Sequence, residues 1–121
     1  MLPPVFNLCK ASPAVLAALG SDPIRVYPFG KVPKQPSLPY SVWQELDGVP
    51  GNNLAGRPTH DYVPTQHDIY ADDRVTLETA VMALRKALER GGVITRLGGT
   101  SIDDETSLYR YSFDVDWHLM R

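Results

Sequence analysis

The stretch "LYRYSFDVDWHL", residues 108–119, decides the fold. From residue 109 onward, Tyr109, Tyr111, Phe113, Val115, Trp117 and Leu119 alternate with Arg110, Ser112, Asp114, Asp116 and His118. Successive side chains of a strand point to opposite faces, so this is one long strand with an aromatic face and a charged face. An antiparallel sheet with one face on a core and one face in water has this pattern. The apolar face carries four of the chain's eleven aromatic residues, which places the strand in the core. Its polar face holds no Ser/His/Asp or Cys/His set recognisable from sequence. The strand reads as architecture and points toward assembly rather than catalysis.

Upstream of that strand, residues 93–97 predict a partner strand and residues 98–106 a polar turn, so the two strands form a hairpin. Before them, residues 74–90 predict a helix. Leu77, Val81, Leu84 and Leu88 recur at helical spacing, Ala80 and Ala87 fill the stripe, and Asp72-Asp73 cap its start. Arg85, Lys86 and Arg90 near its end complement the helix dipole. Residues 59–71 predict a strand with Val63, His67 and Ile69 on one face, and Pro64 sets an edge position or a bulge near its start. Residues 40–46 alternate and predict another strand, and residues 25–27 a short one. Residues 3–19 predict a helix in two pieces, the second opening at Ser12-Pro13 and closed by Gly20 in a left-handed stop.

The order α-β-β-β-α-β-β gives an α+β fold. We expect a two-layer sandwich: a mainly antiparallel sheet of about five strands with two helical segments on one face. One domain over residues 1–121 suits the length, since folding a chain of this size removes roughly two-thirds of its surface from water. Eleven prolines, the last of them Pro64, mark the first half as rich in ordered connections. A Pro-rich arm is expected at 31–39 and a mobile Gly/Asn loop at 47–58.

Twelve basic against fourteen acidic residues argue against a strong polyanion-binding surface. The single cysteine, Cys9, excludes an internal disulfide, and its apolar surroundings predict a small buried hydrophobe. No apolar run approaches the ~20 residues of a membrane span. No basic region precedes an apolar stretch at the N-terminus, so a soluble protein made in a reducing cytosol is expected. His60, His67 and His118, with Asp61, Asp68 and Asp116 nearby, are the tempting metal ligands. His60 and His67 point to opposite faces of a regular strand, and neither HExxH nor HxH occurs, so no metal site is expected. Asp103, Asp104 and Glu105 lack the ligand spacing of a calcium loop and read as a solvated turn. No phosphate-binding glycine loop is present. No catalytic residue and no cofactor are expected.

Taken nearly end to end, the chain resembles the tail-completion or tail-terminator proteins of long-tailed bacteriophages. The likeness is carried by "RVYPFG" (25–30), "LPYSVWQ" (38–44), "QHDIYADD" (66–73) before a helix ending "ALRKALER" (83–90), and the closing "LYRYSFDVDWHL". His67 stands where an apolar or neutral residue is more usual in that family. The resemblance implies a structural virion protein forming a ring, typically of six copies, that caps the head-proximal end of the tail tube. It would end tube polymerisation and offer a surface for head–tail joining. Implied partners are further copies of itself, the major tail tube protein and the head–tail connector, with DNA crossing the lumen without sequence-specific binding and no membrane. Assembly would take place in the bacterial host cytoplasm. Interface residues are expected at Lys31, Lys34 and Gln35 of the arm, Asn52, Asn53 and Arg57 of the loop, and Arg110, Asp114 and Asp116 of the last strand. The alternatives are a head-side connector or stopper, and a small αβ enzyme or ligand-binding domain using His67 or His118.

Overall fold

The computed structural model describes residues 2–46, 49–50 and 60–120. Two short helices open the chain: α1, Val5–Lys10, and α2, Pro13–Leu19. They are one helical segment broken at Ala11-Ser12, where the Ser12 hydroxyl accepts a hydrogen bond from the Val15 amide at 3.2 Å and Pro13 takes the first helical position. Gly20 follows at φ +85°, but ψ +166° carries the chain outward instead of closing the expected left-handed cap. The third helix, α3, spans Arg74–Leu88. The Asp73 carboxylate accepts from the Thr76 amide (2.8 Å) and hydroxyl (2.7 Å), satisfying helix donors that have no partner within the helix. Leu77, Ala80, Val81, Leu84, Ala87 and Leu88 form its buried stripe.

Among the described residues six strands form one sheet: β1 (Val26–Pro28), β2 (Tyr40–Glu45), β3 (Val49–Pro50), β4 (His60–Ala71), β5 (Val93–Ile102) and β6 (Tyr109–Met120). The order across it is β1-β2-β4-β6-β5, with β3 also on β4, and every pairing but β1–β2 is antiparallel. β4 and β6 pair along twelve positions, from His60↔Met120 to Ala71↔Tyr109, and are the spine of the sheet. The parallel neighbours β1 and β2 are joined by the Pro-rich arm. The Phe29 amide donates to the Trp43 carbonyl (2.7 Å) at one end of the arm, and Arg25 Nε donates to the Pro39 carbonyl (2.8 Å) at the other.

All three helices pack on one face, so the architecture is the expected α+β sandwich. Its core joins the α3 stripe and Val5, Cys9, Val15 and Leu19 of the first two helices to Ile69, Phe113, Val115 and Trp117 of the sheet. Fully burying a side chain of this size contributes about 1.5–3 kcal/mol. Phe113, Val115 and Trp117 are fully buried as the alternation predicts, while Tyr109 and Tyr111 are half-buried at the margin. Cys9 is buried as a hydrophobe, and burial pushes its thiol up to about 12.

Two further expectations need correction. Residues 98–102, read as part of a turn, continue β5, and the chain reverses only over residues 103–108. Gly98-Gly99 looked like a reversal signal, but Gly98 lies flat against β6, where a Cβ would stand 2.8 Å from the Ser112 carbonyl oxygen. Gly99, at φ +76°, adds a register shift rather than a turn. Within the loop expected at 47–58, Val49–Pro50 is instead the short strand β3, paired with Tyr62 and Asp61. The rest of that loop lies outside the described residues.

Candidate functional site

Among the described residues the helices lie on one side only, which leaves the opposite face of the sheet open, and the polar residues of the alternation gather there. Its first row is tyrosine: Tyr40 on β2 stacks on Tyr70 of β4 at 5.1 Å between ring centroids, with Tyr27 of β1 beside Tyr40 at 6.4 Å. Burial and the Asp103 carboxylate push the Tyr40 phenol upward. Next comes charge. Arg110 Nη2 lies 3.2 Å from Asp68 Oδ1, across the β4–β6 pair. Arg96 on β5 grips Asp114 with two bonds, Nε to Oδ2 at 2.9 Å and Nη2 to Oδ1 at 3.0 Å, and Nη2 also donates to the Ser112 hydroxyl at 2.6 Å. The bidentate geometry is the strong form of this pair, and it raises the Arg96 guanidinium further through the Asp114 hydrogen bond.

Of the expected interface residues, Lys31, Lys34 and Gln35 are exposed on the arm. Arg110 and Asp114 are engaged in the ion pairs just described. Asp116 is half-buried beside Tyr62, Val93 and His118, on the open face. Asn52, Asn53 and Arg57 lie outside the described residues. Sequence reasoning saw the charged face but missed its pairing. Alternation assigns residues to a face, whereas the partners depend on strand order, which places β6 between β4 and β5.

His67 and His118 do not converge. His67 is fully buried on the core face, its ring between Phe113 (5.2 Å, 12°) and Trp43 (6.2 Å, 20°). His118 is exposed on the other face, stacked on Tyr62 at 4.6 Å. Among the described residues no group of three or more His, Cys, Asp or Glu stands close enough to hold a metal ion. His67 Nε2 lies 2.8 Å from Thr65 Oγ1, which also accepts the Trp117 indole N–H at 2.8 Å. Burial drives the His67 ring down to about 3, outweighing the opposing pull of Asp114, so the ring is neutral at physiological pH. A ring walled in this way cannot meet a substrate. Among the described residues the sheet instead offers a broad, partly neutralised surface and two edges, β1 and β5, without a further strand, which suit contact with other macromolecules.

Comparison with known proteins agrees with that geometry. The family described as "Tail completion protein gp17" matches residues 3–119. Among solved structures, a chain of the "Virion of native gene transfer agent (GTA) particle" superposes with a TM-score of 0.75 at 17% sequence identity, covering 97% of this chain and 92% of that one. At that identity the likeness concerns the fold. The comparison with curated proteins found no match.

Proposed function

The chain belongs to the tail completion protein gp17 family, and from that membership we propose that it forms a ring closing the head-proximal end of a phage tail tube. In this reading it is a structural, non-enzymatic virion component that ends tube polymerisation and presents the surface on which the head connector docks. The observation that carries the proposal is the extent of the family match, which takes in every helix and all but the last residue of the sheet. The matched unit is therefore the whole sandwich and not a pocket within it. The geometry supports the same role. A one-sided sheet leaves a wide face and two edges for neighbours, and unlike surfaces on one subunit close into rings when the rotation permits. The partners in this reading are further copies of the chain, the tail tube protein and the head connector, with DNA crossing the lumen.

Electron microscopy of lysates from a phage lacking this gene tests the role. Filled heads beside unjoined tails are expected. Joined, infectious particles would refute it. Tails of normal length and finish with heads that lose their DNA would favour a head-side stopper instead.

A further inference from the structure

The two edges of the sheet are unlike in shape, and the arm that leaves one and the turn that follows the other are opposite in charge. At one edge stands β1, only three residues long. Phe29 and Leu2, both largely exposed, flank it and line with Trp43 a shallow recess of about 380 Å³, with the Glu45 carboxylate at its β2 side. The arm that leaves this edge carries Lys31 and Lys34, both exposed, and residues 29–39 contain no acidic side chain. At the other edge stands β5, ten residues long and without a further strand beside it among the described residues. Leu97 and Ile102 lie on its core side but beyond the cover of the helices, and each is more than half exposed. The turn that follows is acidic. Asp103 is occupied within it, accepting from the Thr106 amide and hydroxyl, which leaves the exposed Asp104 and Glu105 facing outward.

We propose that these edges are the two halves of one contact: the β1 edge of one copy, with Phe29, Lys31 and Lys34, packs on the β5 edge of the next, with Leu97, Asp104 and Glu105. This deepens the ring reading above and rests on it. A soluble protein ordinarily guards a long edge strand with charge. On β5 the one charged side chain, Arg96, is folded inward over β6 to Asp114 and leaves the edge unguarded. Two register shifts bend β5, so the contact is side-chain packing flanked by charge pairs and not a continued ladder. Charge fixes the sense of the contact. Pairing β5 with β5, or arm with arm, brings no lysine of the arm to a carboxylate of the turn. Only the head-to-tail arrangement sets lysines on carboxylates, and that arrangement generates rings when the rotation closes.

The test uses two variants of the full chain, K31E/K34E and D104K/E105K, followed by native mass spectrometry at high protein concentration. The wild type is expected to form oligomers. Each variant alone should stay monomeric, with self-association weakened at least about tenfold by like charges facing each other. An equimolar mixture should assemble again, because each variant supplies the charge the other lacks. A monomeric wild type, variants that associate as the wild type does, or a mixture that stays monomeric would each overturn the proposal. This readout concerns the contact alone. Unjoined heads and tails in the gene-deletion lysate, with no rescue in the mixture, would leave the tail role standing and remove only these edges.

Discussion

The indole N–H of Trp117 donates to Thr65 Oγ1 at 2.8 Å across the β4–β6 pair, with both residues fully buried. Thr65 therefore gives the largest core side chain its polar partner. It also stands 2.8 Å from His67 Nε2 and 3.4 Å from the Val115 carbonyl. A hydroxyl has one hydrogen to give. The fewest groups go unmet when His67 Nε2–H donates to Thr65 and Thr65 donates to Val115. His67 Nδ1 is then a buried acceptor without a protein partner.

Thr65→Val keeps the shape and removes the hub, so it strands two buried N–H donors. Leaving a buried donor unmet costs about 1–3 kcal/mol. Trp117→Ala empties the centre of the core and should cost about 3–5 kcal/mol. Urea denaturation of the single and double variants checks both. The double variant should cost less than the two singles added together, since without the indole one of the stranded donors is gone.

His67 makes stability depend on pH. Its folded value, about 3, lies below the ordinary 6.5, so the unfolded chain binds the proton that the folded chain refuses. The stabilisation is complete above about 6.5 and is lost as the pH falls from there toward 3, by on the order of 4 kcal/mol across the window. Denaturation at pH 7 and pH 4 should show a large loss for the wild type. His67→Leu removes this contribution, and its loss over the same interval should be clearly smaller.

The two aspartates of the β6 open face should behave differently. Asp114 is held by Arg96 with two bonds, whereas Asp116 has no such partner among the hydrogen bonds and ion pairs of the described residues. Exposed pairs contribute little, so Asp114→Lys should lower stability by about 1 kcal/mol and Asp116→Lys by less. Thermal denaturation of the two variants at low and high salt measures the difference, which salt should shrink.

Gly98 tests the strand assignment of residues 98–102. A Cβ there meets the Ser112 carbonyl oxygen at 2.8 Å and the Arg96 guanidinium, so Gly98→Ala must push β5 away from β6. We expect a loss of about 1–3 kcal/mol. Hydrogen exchange should quicken at Leu97, Thr100 and Ile102, the residues whose pairing with β6 is loosened. A loop at 98–102 would show no such change.

These cases show what was legible in the chain and what was not. The 109–119 alternation and the Leu77-Val81-Leu84-Leu88 stripe announce a face and a period, and burial follows them closely. Asp73 and Ser12 announce their caps because capping is local. His67 looked like a candidate ligand because a histidine's chemistry is written in its type, whereas its burial is set by Trp43 and Phe113 on two neighbouring strands. The Gly98-Gly99 pair misled for a similar reason. Glycine serves a turn and a close strand approach equally well, and only the neighbour, Ser112, decides between them. The edges depend on strand order, which no local pattern carries.

The last prediction joins the edge contact to the virion. Lys31 and Lys34 are exposed on a connection held at both ends by hydrogen bonds, and neither takes part in a described ion pair. Replacing both with glutamate should change the stability of the folded chain by no more than about 0.5 kcal/mol. Assembly is another matter, because in the proposed ring the same charges recur at every junction and one unfavourable contact is repeated around it. Phage carrying K31E/K34E should therefore yield a folded, abundant subunit together with unjoined heads and tails, and a second change, D104K/E105K in the same gene, should restore particles. Thermal denaturation of the purified variant and plaque counts from the two phages are the measurements. Normal plaque numbers with K31E/K34E alone would show that the arm lies outside the contacts that assembly needs.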